Sequence, residues 1–153
     1  MADKGDTQSK TVWPLPKFSF KVKVGSSDTM SCQEVSGLDM ETQAIEYRAG
    51  DSSVFSVVKM PGIKKYSDVT LKKGMFKSDN KLFDWFSKNT LNTIERKSVT
   101  ISLLDEKGGE VFIWTLLNAF PIKVAGTDLK STGNEVAVET IVIAHEGLTV
   151  KAK

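Results

Sequence analysis

The sequence has few of the residues on which catalysis, metal binding and disulfide formation depend. Among 153 residues there is one cysteine, Cys32, and one histidine, His145. A single cysteine excludes an intramolecular disulfide and a CxxC-type metal site. Zinc requires three or four His, Cys or carboxylate ligands, and no motif of the chain supplies them. The glycine spacings of Walker and dinucleotide-binding loops are also missing, so we expect no metal and no cofactor.

Long apolar runs and a charge of one sign are missing as well. No apolar run approaches the roughly 18 residues of a membrane span. The 21 Lys and Arg residues nearly balance the 19 Asp and Glu residues, whereas a dedicated nucleic-acid-binding protein normally has a strong basic excess. The opening MADKGDTQSK lacks the apolar segment of a signal peptide. We therefore expect synthesis in the cytoplasm without a signal peptide.

Alternating apolar and polar residues dominate the rest of the chain. Residues 17–25 place Phe18, Phe20, Val22 and Val24 on one face and lysines on the other. Further strands are expected within residues 31–50, bent at Ser36-Gly37, and over 54–62, 66–74, 97–104, 110–124 and 135–144. The segment DEKGG at 105–109 is typical of a hairpin connection, and the MPG at 60–62 of a strand end.

One segment departs from this rhythm. SDNKLFDWFSKNT at 78–90 begins with a Ser/Asp capping signal and has Leu82, Phe83, Trp85 and Phe86 at helical spacing. The whole pattern predicts a mainly β protein, an antiparallel β-sandwich or barrel with one flanking α-helix. We expect a flexible N-terminal arm over residues 1–12 and a single β domain over residues 13–153.

Two predicted strands are apolar on both faces. Val136, Val138 and Val142 share one face of the last strand, while Ile141 and Ile143 lie on the other. Residues 111–117 show the same two-sided pattern. Either the helix and loops of the same chain cover the second faces, or a neighbouring subunit does, because large exposed apolar patches are rare in monomers.

His145 is the first residue to consider for catalysis. In an unbroken strand it would share a face with Glu135 and Glu139, which is a rim or interface position. General acid–base catalysis depends most often on histidine, but no nucleophile elbow or partner constellation accompanies this one. We predict that the protein is not an enzyme. A nucleic-acid-binding β-barrel remains a second alternative, with lysines binding phosphates and aromatic side chains stacking on bases.

Several motifs, taken in order, resemble a known family. They are PLPKFSFKV, EVSGLDMETQAIEYRAG, KMPGIKKYSDVTLKKGMF, LFDWF, VTISLLDEKGGEVFIWTLLNAFPIKV and GNEVAVETIVIAHEGL. Their order and spacing over residues 13–150 are similar to the tail-tube proteins of contractile phages. They also resemble the inner-tube proteins of contractile injection systems, which are themselves similar to the secretion protein Hcp. The segments SGLDMETQAIEYR and AFPIKV look closer to the injection-system branch.

The resemblance implies a structural protein that forms hexameric rings stacked into a hollow tube. The implied partners are further copies of the chain, a contractile sheath, baseplate or spike proteins and a terminator, with cargo protein or DNA inside the tube. The product would be a phage-tail-like particle, either a virion or an injection apparatus. A true contractile phage tail tube that conducts DNA is the alternative within the family.

The resemblance also suggests which residues meet other molecules. The segment from Tyr47 to Pro61 resembles the family's extended loop, which implies subunit contacts for Arg48, Asp51 and Met60. The two-sided last strand adds Ile141 and Ile143 as expected interface residues. The polar strand-face residues expected to line the lumen are Lys21, Lys23, Glu135 and Glu139.

Overall fold

The computed structural model describes residues 15–26, 28–77 and 79–153. The N-terminal arm expected over residues 1–12 lies outside these ranges. In chain order the elements are β1 (Phe20–Val24), β2 (Asp28–Met30), β3 (Cys32–Ser36), β4 (Met40–Tyr47), β5 (Val58–Tyr66), β6 (Val69–Gly74), α1 (Lys81–Lys88), β7 (Lys97–Leu104), β8 (Glu110–Ala125), β9 (Val138–Ala144) and β10 (Gly147–Ala152). The prediction of a mainly β, antiparallel fold with a flanking helix is confirmed.

The main sheet is antiparallel and contains eight of these strands. Its order is β2-β1-β7-β8-β9-β6-β3, and β10 pairs with β8. Side chains from both halves of this sheet, among them Val22, Leu116, Leu71 and Ile141, form one buried cluster. The two halves therefore face each other, and the sheet folds over a shared core.

Strand β8 connects the two halves because it is long and bent. Its pairing with β7 shifts between Val99–Leu116 and Lys97–Ala119. Within this irregularity Asn118 has a φ of 50°, a left-handed conformation that asparagine tolerates better than most side chains do. The bulge lets the first part of β8 pair with β7 and β10 and the last part pair with β9.

The pattern along β1 is confirmed except at its first residue. Val22 and Val24 are buried and Phe20 packs against the core. Phe18, expected on the same face, is 84% exposed, because the strand begins only at Phe20 and the alternation does not extend before it.

The strand end predicted at residues 60–62 is wrong. Strand β5 continues through Pro61 and Gly62 to Tyr66, because β4 pairs with it on both sides of a bulge. A Cβ at position 62 would collide with the Gln43 carbonyl oxygen. Glycine is required here by the close approach of two strands, which is a different reason from a turn.

Helix α1 is shorter than the predicted helical segment and packs against β8. Leu82 and Trp85 are buried, and the Trp85 indole donates a hydrogen bond to the Glu95 carbonyl oxygen at 2.9 Å. The helix starts after Asn80, whose side chain makes no capping hydrogen bond. Asp79, part of the predicted cap, accepts a hydrogen bond from the Lys81 backbone N–H at 3.4 Å and is also bound by Lys73.

The last predicted strand is shorter than expected, and a further strand follows it. Strand β9 begins at Val138 rather than at residue 135, and β10 follows it as an additional strand that the sequence pattern did not reveal. The prediction that Ile141 and Ile143 face a neighbouring subunit is wrong. Both are 0% exposed within the chain, since their face of β9 covers the shared core.

Within residues 15–26, 28–77 and 79–153, no helix combines the length and the apolar character needed to cross a bilayer.

Candidate assembly surfaces

Strands β4 and β5 form a two-stranded ribbon that does not join the main sheet. We call these residues, 40–66, the ribbon. Cross-strand pairing places Ile45 beside Met60 and Tyr47 beside Val58. These four side chains are 46% to 65% exposed. The neighbouring pair, Glu46 and Lys59, points to the opposite side of the ribbon because side chains alternate along a strand. One side of the ribbon is thus an exposed apolar face.

The base of the ribbon is held against the main sheet by backbone and ring contacts. Gly37 has a φ of 89°, and a Cβ there would collide with the Asp68 carbonyl oxygen. The His145 ring places Nε2 3.0 Å from the Ser67 carbonyl oxygen and Nδ1 3.2 Å from that of Gly147. It also lies 5.7 Å from the Tyr66 ring, centroid to centroid. His145 therefore links the base of the ribbon to the β9–β10 turn.

The far end of the ribbon, residues 48–57, we call the ribbon tip. Arg48 closes it by donating from Nε to the Val54 carbonyl oxygen at 3.0 Å and from Nη2 to the Ser52 carbonyl oxygen at 3.1 Å. The guanidinium also lies 5.9 Å from the centre of the Phe55 ring. Phe55 is nevertheless 96% exposed. The tip is thus an ordered loop that presents an aromatic side chain to solvent.

The predicted interface residues fall into two groups. Arg48, Asp51 and Met60 all lie on the ribbon or its tip, and Asp51 and Met60 are exposed. Ile141 and Ile143 lie in the core and offer no surface to another molecule. The sequence therefore predicts an interface on the ribbon. It does not predict four exposed apolar residues there: Ile45, Tyr47, Phe55 and Val58.

A polar sheet face contains two of the predicted lumenal residues. Lys23 is in register with Thr100, which in turn pairs with Thr115. Lys21 is in register with Ser102, and its ammonium group lies 2.8 Å from the Glu110 carboxylate. The hydrogen bond from Lys21 lowers the pKa of Glu110. The structure thus brings Lys21 and Lys23 together on a face that carries both signs of charge.

The two predicted lumenal glutamates do not join that face. Glu135 lies in the loop between β8 and β9 and is exposed. Glu139 is 8% exposed and shares the core side of β9 with Ile141. The prediction that Glu139 lines a lumen is therefore wrong. A carboxylate on a core face requires a cation, and Lys73 of β6 supplies it at 3.2 Å.

Lys73 lies at the centre of a buried ionic cluster. Its ammonium group contacts Asp79 at 2.9 Å as well as Glu139. Burial disfavours the charge, but the hydrogen bonds to Asp79 and Glu139 outweigh burial and raise the pKa of Lys73. The hydrogen bond from Lys73 lowers the pKa of Asp79. Because Asp79 lies between β6 and α1, the cluster holds the start of helix α1 against the sheet.

Nothing in the described ranges resembles a catalytic or metal centre. No group of three His, Cys, Asp or Glu side chains there could hold a metal ion. His145 contacts backbone carbonyl oxygens and a tyrosine ring, and its neighbour Glu146 is bound by Arg96 and Asn118. Burial raises the pKa of the Cys32 thiol to about 11, although Lys73 opposes this rise. These side chains therefore take part in packing and in structural hydrogen bonds.

The comparison with protein families decides what kind of assembly this is. The model of the T4-like virus tail tube protein gp19 matches residues 16–149. The chain belongs to this tail tube protein family. No curated protein matches it.

Solved structures agree with the family assignment. A chain of the PVC sheath–tube complex, an extracellular contractile injection system in its extended state, is 33% identical with a TM-score of 0.85, and the match covers 96% of this chain and 100% of that one. A chain of the anti-feeding prophage tube terminating cap is 32% identical with a TM-score of 0.85, over 100% of both chains. Hcp1 from Flavobacterium johnsoniae shares the fold at 12% identity with a TM-score of 0.59, over 88% and 95%.

The family to which the chain belongs shows the class of its function. The chain is a tail tube protein of contractile injection systems and phage-like particles, which is a structural role. The enzyme and the nucleic-acid-binding barrel were the alternatives from other classes, and neither belongs to this family. The resemblance inferred from the ordered motifs is confirmed.

Proposed function

We propose that this tail tube protein is the inner-tube subunit of a contractile injection system, and that hexameric rings of it stack into a hollow conduit for cargo. Residues 13–153 would form the body of the subunit. The observation that carries the proposal is the ribbon, whose apolar face is exposed in the isolated chain.

A ribbon of this kind needs a partner. Two-stranded hairpins are at best marginally stable alone in water. Here eight- and nine-residue strands leave Ile45, Tyr47, Val58 and Met60 open to solvent. Burial of apolar side chains is the main favourable term in protein association. A neighbouring subunit that covers this face would stabilise the ribbon and join the two copies.

The polar face of β1 is the proposed wall of the conduit. Lys21 and Lys23 alternate with the buried Val22 and Val24, so they point away from the core. The Lys21–Glu110 pair gives this face neighbouring charges of both signs. A wall of mixed charge would hold neither a protein nor a nucleic acid tightly, which allows cargo to pass. Glu135 is a further candidate, from the loop after β8.

The proposed partners follow from the assemblies that contain similar chains. Those structures are described as a sheath–tube complex, a tube terminating cap and a baseplate. We propose that this chain likewise meets a contractile sheath, a terminator and baseplate or spike proteins. The particle would assemble from subunits made in the cytoplasm. A contractile phage tail tube that conducts DNA is the second candidate, because the matching family is defined on a T4-like virus protein.

Disruption of the ribbon's apolar face tests the proposal. The Ile45→Asp/Met60→Asp variant should remain folded, because both side chains are about half exposed, and should fail to form rings or tubes in negative-stain micrographs. Phe18→Asp is the matched control, since it introduces a carboxylate at an exposed apolar site away from the ribbon. Normal tubes from the double variant, or a wild-type chain that stays monomeric at high concentration, would refute the proposal.

A further inference from the structure

The polar side of β1 continues across three more strands of the main sheet. Lys21 is in register with Ser102 of β7, and Ser102 is in register with Ile113 of β8. Ile113 is in turn opposite Lys151 of β10. Directly opposite residues of antiparallel strands share one face of a sheet. Lys21 and Lys151 therefore lie on the same face, three strand spacings or roughly 14 Å apart.

A second row of residues runs beside the first. It consists of Lys23, Thr100, Thr115 and Thr149, which are in register across the same four strands. We call these two rows, residues 21, 23, 100, 102, 113, 115, 149 and 151, the basic face. Neither of these two described rows contains an aromatic side chain. The basic face thus presents ammonium groups separated mainly by hydroxyl groups.

Glu110 places one carboxylate at the border of the basic face. It lies 2.8 Å from the Lys21 ammonium group and also accepts a hydrogen bond from Ser102. Lys21 is the main cause of the lowered pKa of Glu110, and the charge of Lys153 acts in the same direction. This carboxylate is therefore ionised, and its pairing with Lys21 removes one lysine from those available to a partner.

The other two lysines of the basic face have no such pairing. Within residues 15–26, 28–77 and 79–153, neither Lys23 nor Lys151 takes part in an ion pair. Lys151 is exposed and Lys23 is half-buried. Both ammonium groups point away from the core, because Val22 and Val24 occupy the core side of β1.

The charged residues at the two ends of these strands do not cancel the positive excess. The β7–β8 hairpin contributes Asp105, Glu106 and Lys107, and the Asp105 carboxylate accepts hydrogen bonds from the backbone of its own turn. At the opposite end, Glu146 is paired with Arg96. The hairpin adds one more acidic than basic side chain, whereas Lys23 and Lys151 leave two positive charges unmatched.

These properties favour an acidic protein over a nucleic acid as the partner. Proteins that bind single-stranded nucleic acid combine a positive groove with aromatic side chains that stack on the bases, and the basic face has no aromatic side chain. Lysines spaced by neutral residues suit the scattered carboxylates of a polypeptide. Exposed ion pairs are individually weak, so each contact would be brief and the partner could still move.

We propose that the basic face is the contact surface for cargo of one chemical class, proteins with an excess of Asp and Glu side chains. Their carboxylates meet Lys23 and Lys151, and the threonine hydroxyl groups between these lysines bind other polar groups of the cargo. The inference rests on the proposed function, because it presupposes that this face lines the conduit. It adds the charge that the conduit selects in its cargo.

Retention of labelled probes by tubes of the full-length chain tests this selection. Tubes are assembled in the presence of a poly-glutamate peptide, a poly-lysine peptide or a single-stranded oligonucleotide of equal length, and are then sedimented. The poly-glutamate peptide should be retained in preference to both other probes. An increase in salt from about 0.1 M to about 1 M should release it, because the Debye length falls from about 10 Å to about 3 Å.

Variants of opposite expected sign identify the face responsible. Lys23→Gln/Lys151→Gln should retain about fivefold less poly-glutamate, as expected from the loss of two exposed ion pairs. Glu110→Gln should retain more than the wild type, because it frees Lys21 for the peptide. The control Lys88→Gln/Lys130→Gln removes two exposed lysines from α1 and from the β8–β9 loop, and should leave retention unchanged.

The outcomes separate the cargo class from the proposed function. Normal tubes that retain poly-glutamate equally well in the wild type and in Lys23→Gln/Lys151→Gln would overturn the acidic cargo and leave the tube role intact. Stronger retention of the oligonucleotide than of poly-glutamate would assign the face to nucleic acid and would also overturn it. If the wild-type chain forms no rings or tubes, both the proposed function and the cargo class are wrong.

Discussion

Lys73 and Glu139 face each other in register across β6 and β9, on the core side of the sheet, with 3.2 Å between ammonium and carboxylate. Their side chains are 3% and 10% exposed. A buried ion pair contributes little compared with an apolar pair of the same shape, but removal of one partner leaves an uncompensated charge. The pair therefore makes each of its residues dependent on the other.

This dependence predicts a strong coupling between substitutions. Lys73→Met should lower the free energy of unfolding by about 3–5 kcal/mol, because Glu139 then stays buried without a cation. The Lys73→Met/Glu139→Leu double variant should recover most of that loss. Urea denaturation of the single and double variants measures the coupling. If the loss in the double variant equals the sum of the losses from Lys73→Met and Glu139→Leu alone, the two residues act independently.

The contribution of Asp79 to the stability of the protein is predicted to fall at acid pH. Lys73 lowers the pKa of Asp79 in the folded protein, so its contribution is present above the pKa of the unfolded state and is lost as pH falls through the folded value. Asp79→Asn should therefore be less stable than the wild type at about pH 6, and this gap should narrow towards about pH 3. Urea midpoints across this range check it. A stability difference between wild type and Asp79→Asn that widens in acid would contradict this prediction.

His145 is predicted to stabilise the base of the ribbon. His145→Ala removes a ring that lies within hydrogen-bond distance of the Ser67 and Gly147 carbonyl oxygens. We expect a loss of about 1 kcal/mol, the usual size for one hydrogen bond, with faster amide exchange in residues 38–68. Leu91→Ala serves as an exposed control. Unchanged exchange at the base of the ribbon in His145→Ala would exclude this role.

Cys32 is predicted to be nearly unreactive in the folded protein. Cys32 is half-buried, and this burial raises the pKa of its thiol to about 11 against the opposing effect of Lys73. The thiolate is the reactive form of a cysteine. At about pH 8 the native protein should react with iodoacetamide at least about 100-fold more slowly than the urea-unfolded chain. Mass spectrometry of alkylated protein over time gives both rates. Similar rates would show that burial does not raise the pKa of the thiol.

Lys21 and Lys23 are predicted to affect transport rather than folding. Lys21→Gln/Lys23→Gln should preserve tube formation, because both side chains lie on a polar sheet face away from the core. It should change the rate of cargo release from contracted particles. Lys65→Gln is a suitable control, since Lys65 pairs with Glu41 on the ribbon. No change in release with either variant would count against a lumenal position for this face.

The alternation of apolar and polar residues predicts most of the strands. It does not predict which side chains that are distant in sequence contact each other. Strand β7 begins and ends at its predicted residues, because Val99 and Ile101 alternate cleanly with polar residues. Glu139 shares its face with Ile141, but the Lys73 that permits its burial is 66 residues away in sequence. A local pattern does not reveal such a partner, so the sequence alone predicts a polar face for Glu139.

The ribbon shows the same limit for local turn signals. Pro61-Gly62 is typical of a turn, yet β5 passes through it because pairing with β4 continues on both sides. Because the predicted strand ends at residues 60–62, the prediction misses the length of the ribbon and the apolar pairing of Tyr47 with Val58. Within the candidate assembly surface, Arg48 lies on the ribbon as predicted, but the sequence does not show that its side chain closes the tip.

Cryo-electron microscopy of the assembled full-length chain tests the tube role most directly. The account predicts hexameric rings stacked around an open channel, with Ile45 and Met60 buried against a neighbouring subunit and Lys23 facing the channel. Particles that remain monomeric at high concentration, or tubes that leave the apolar face of the ribbon in solvent, would contradict it.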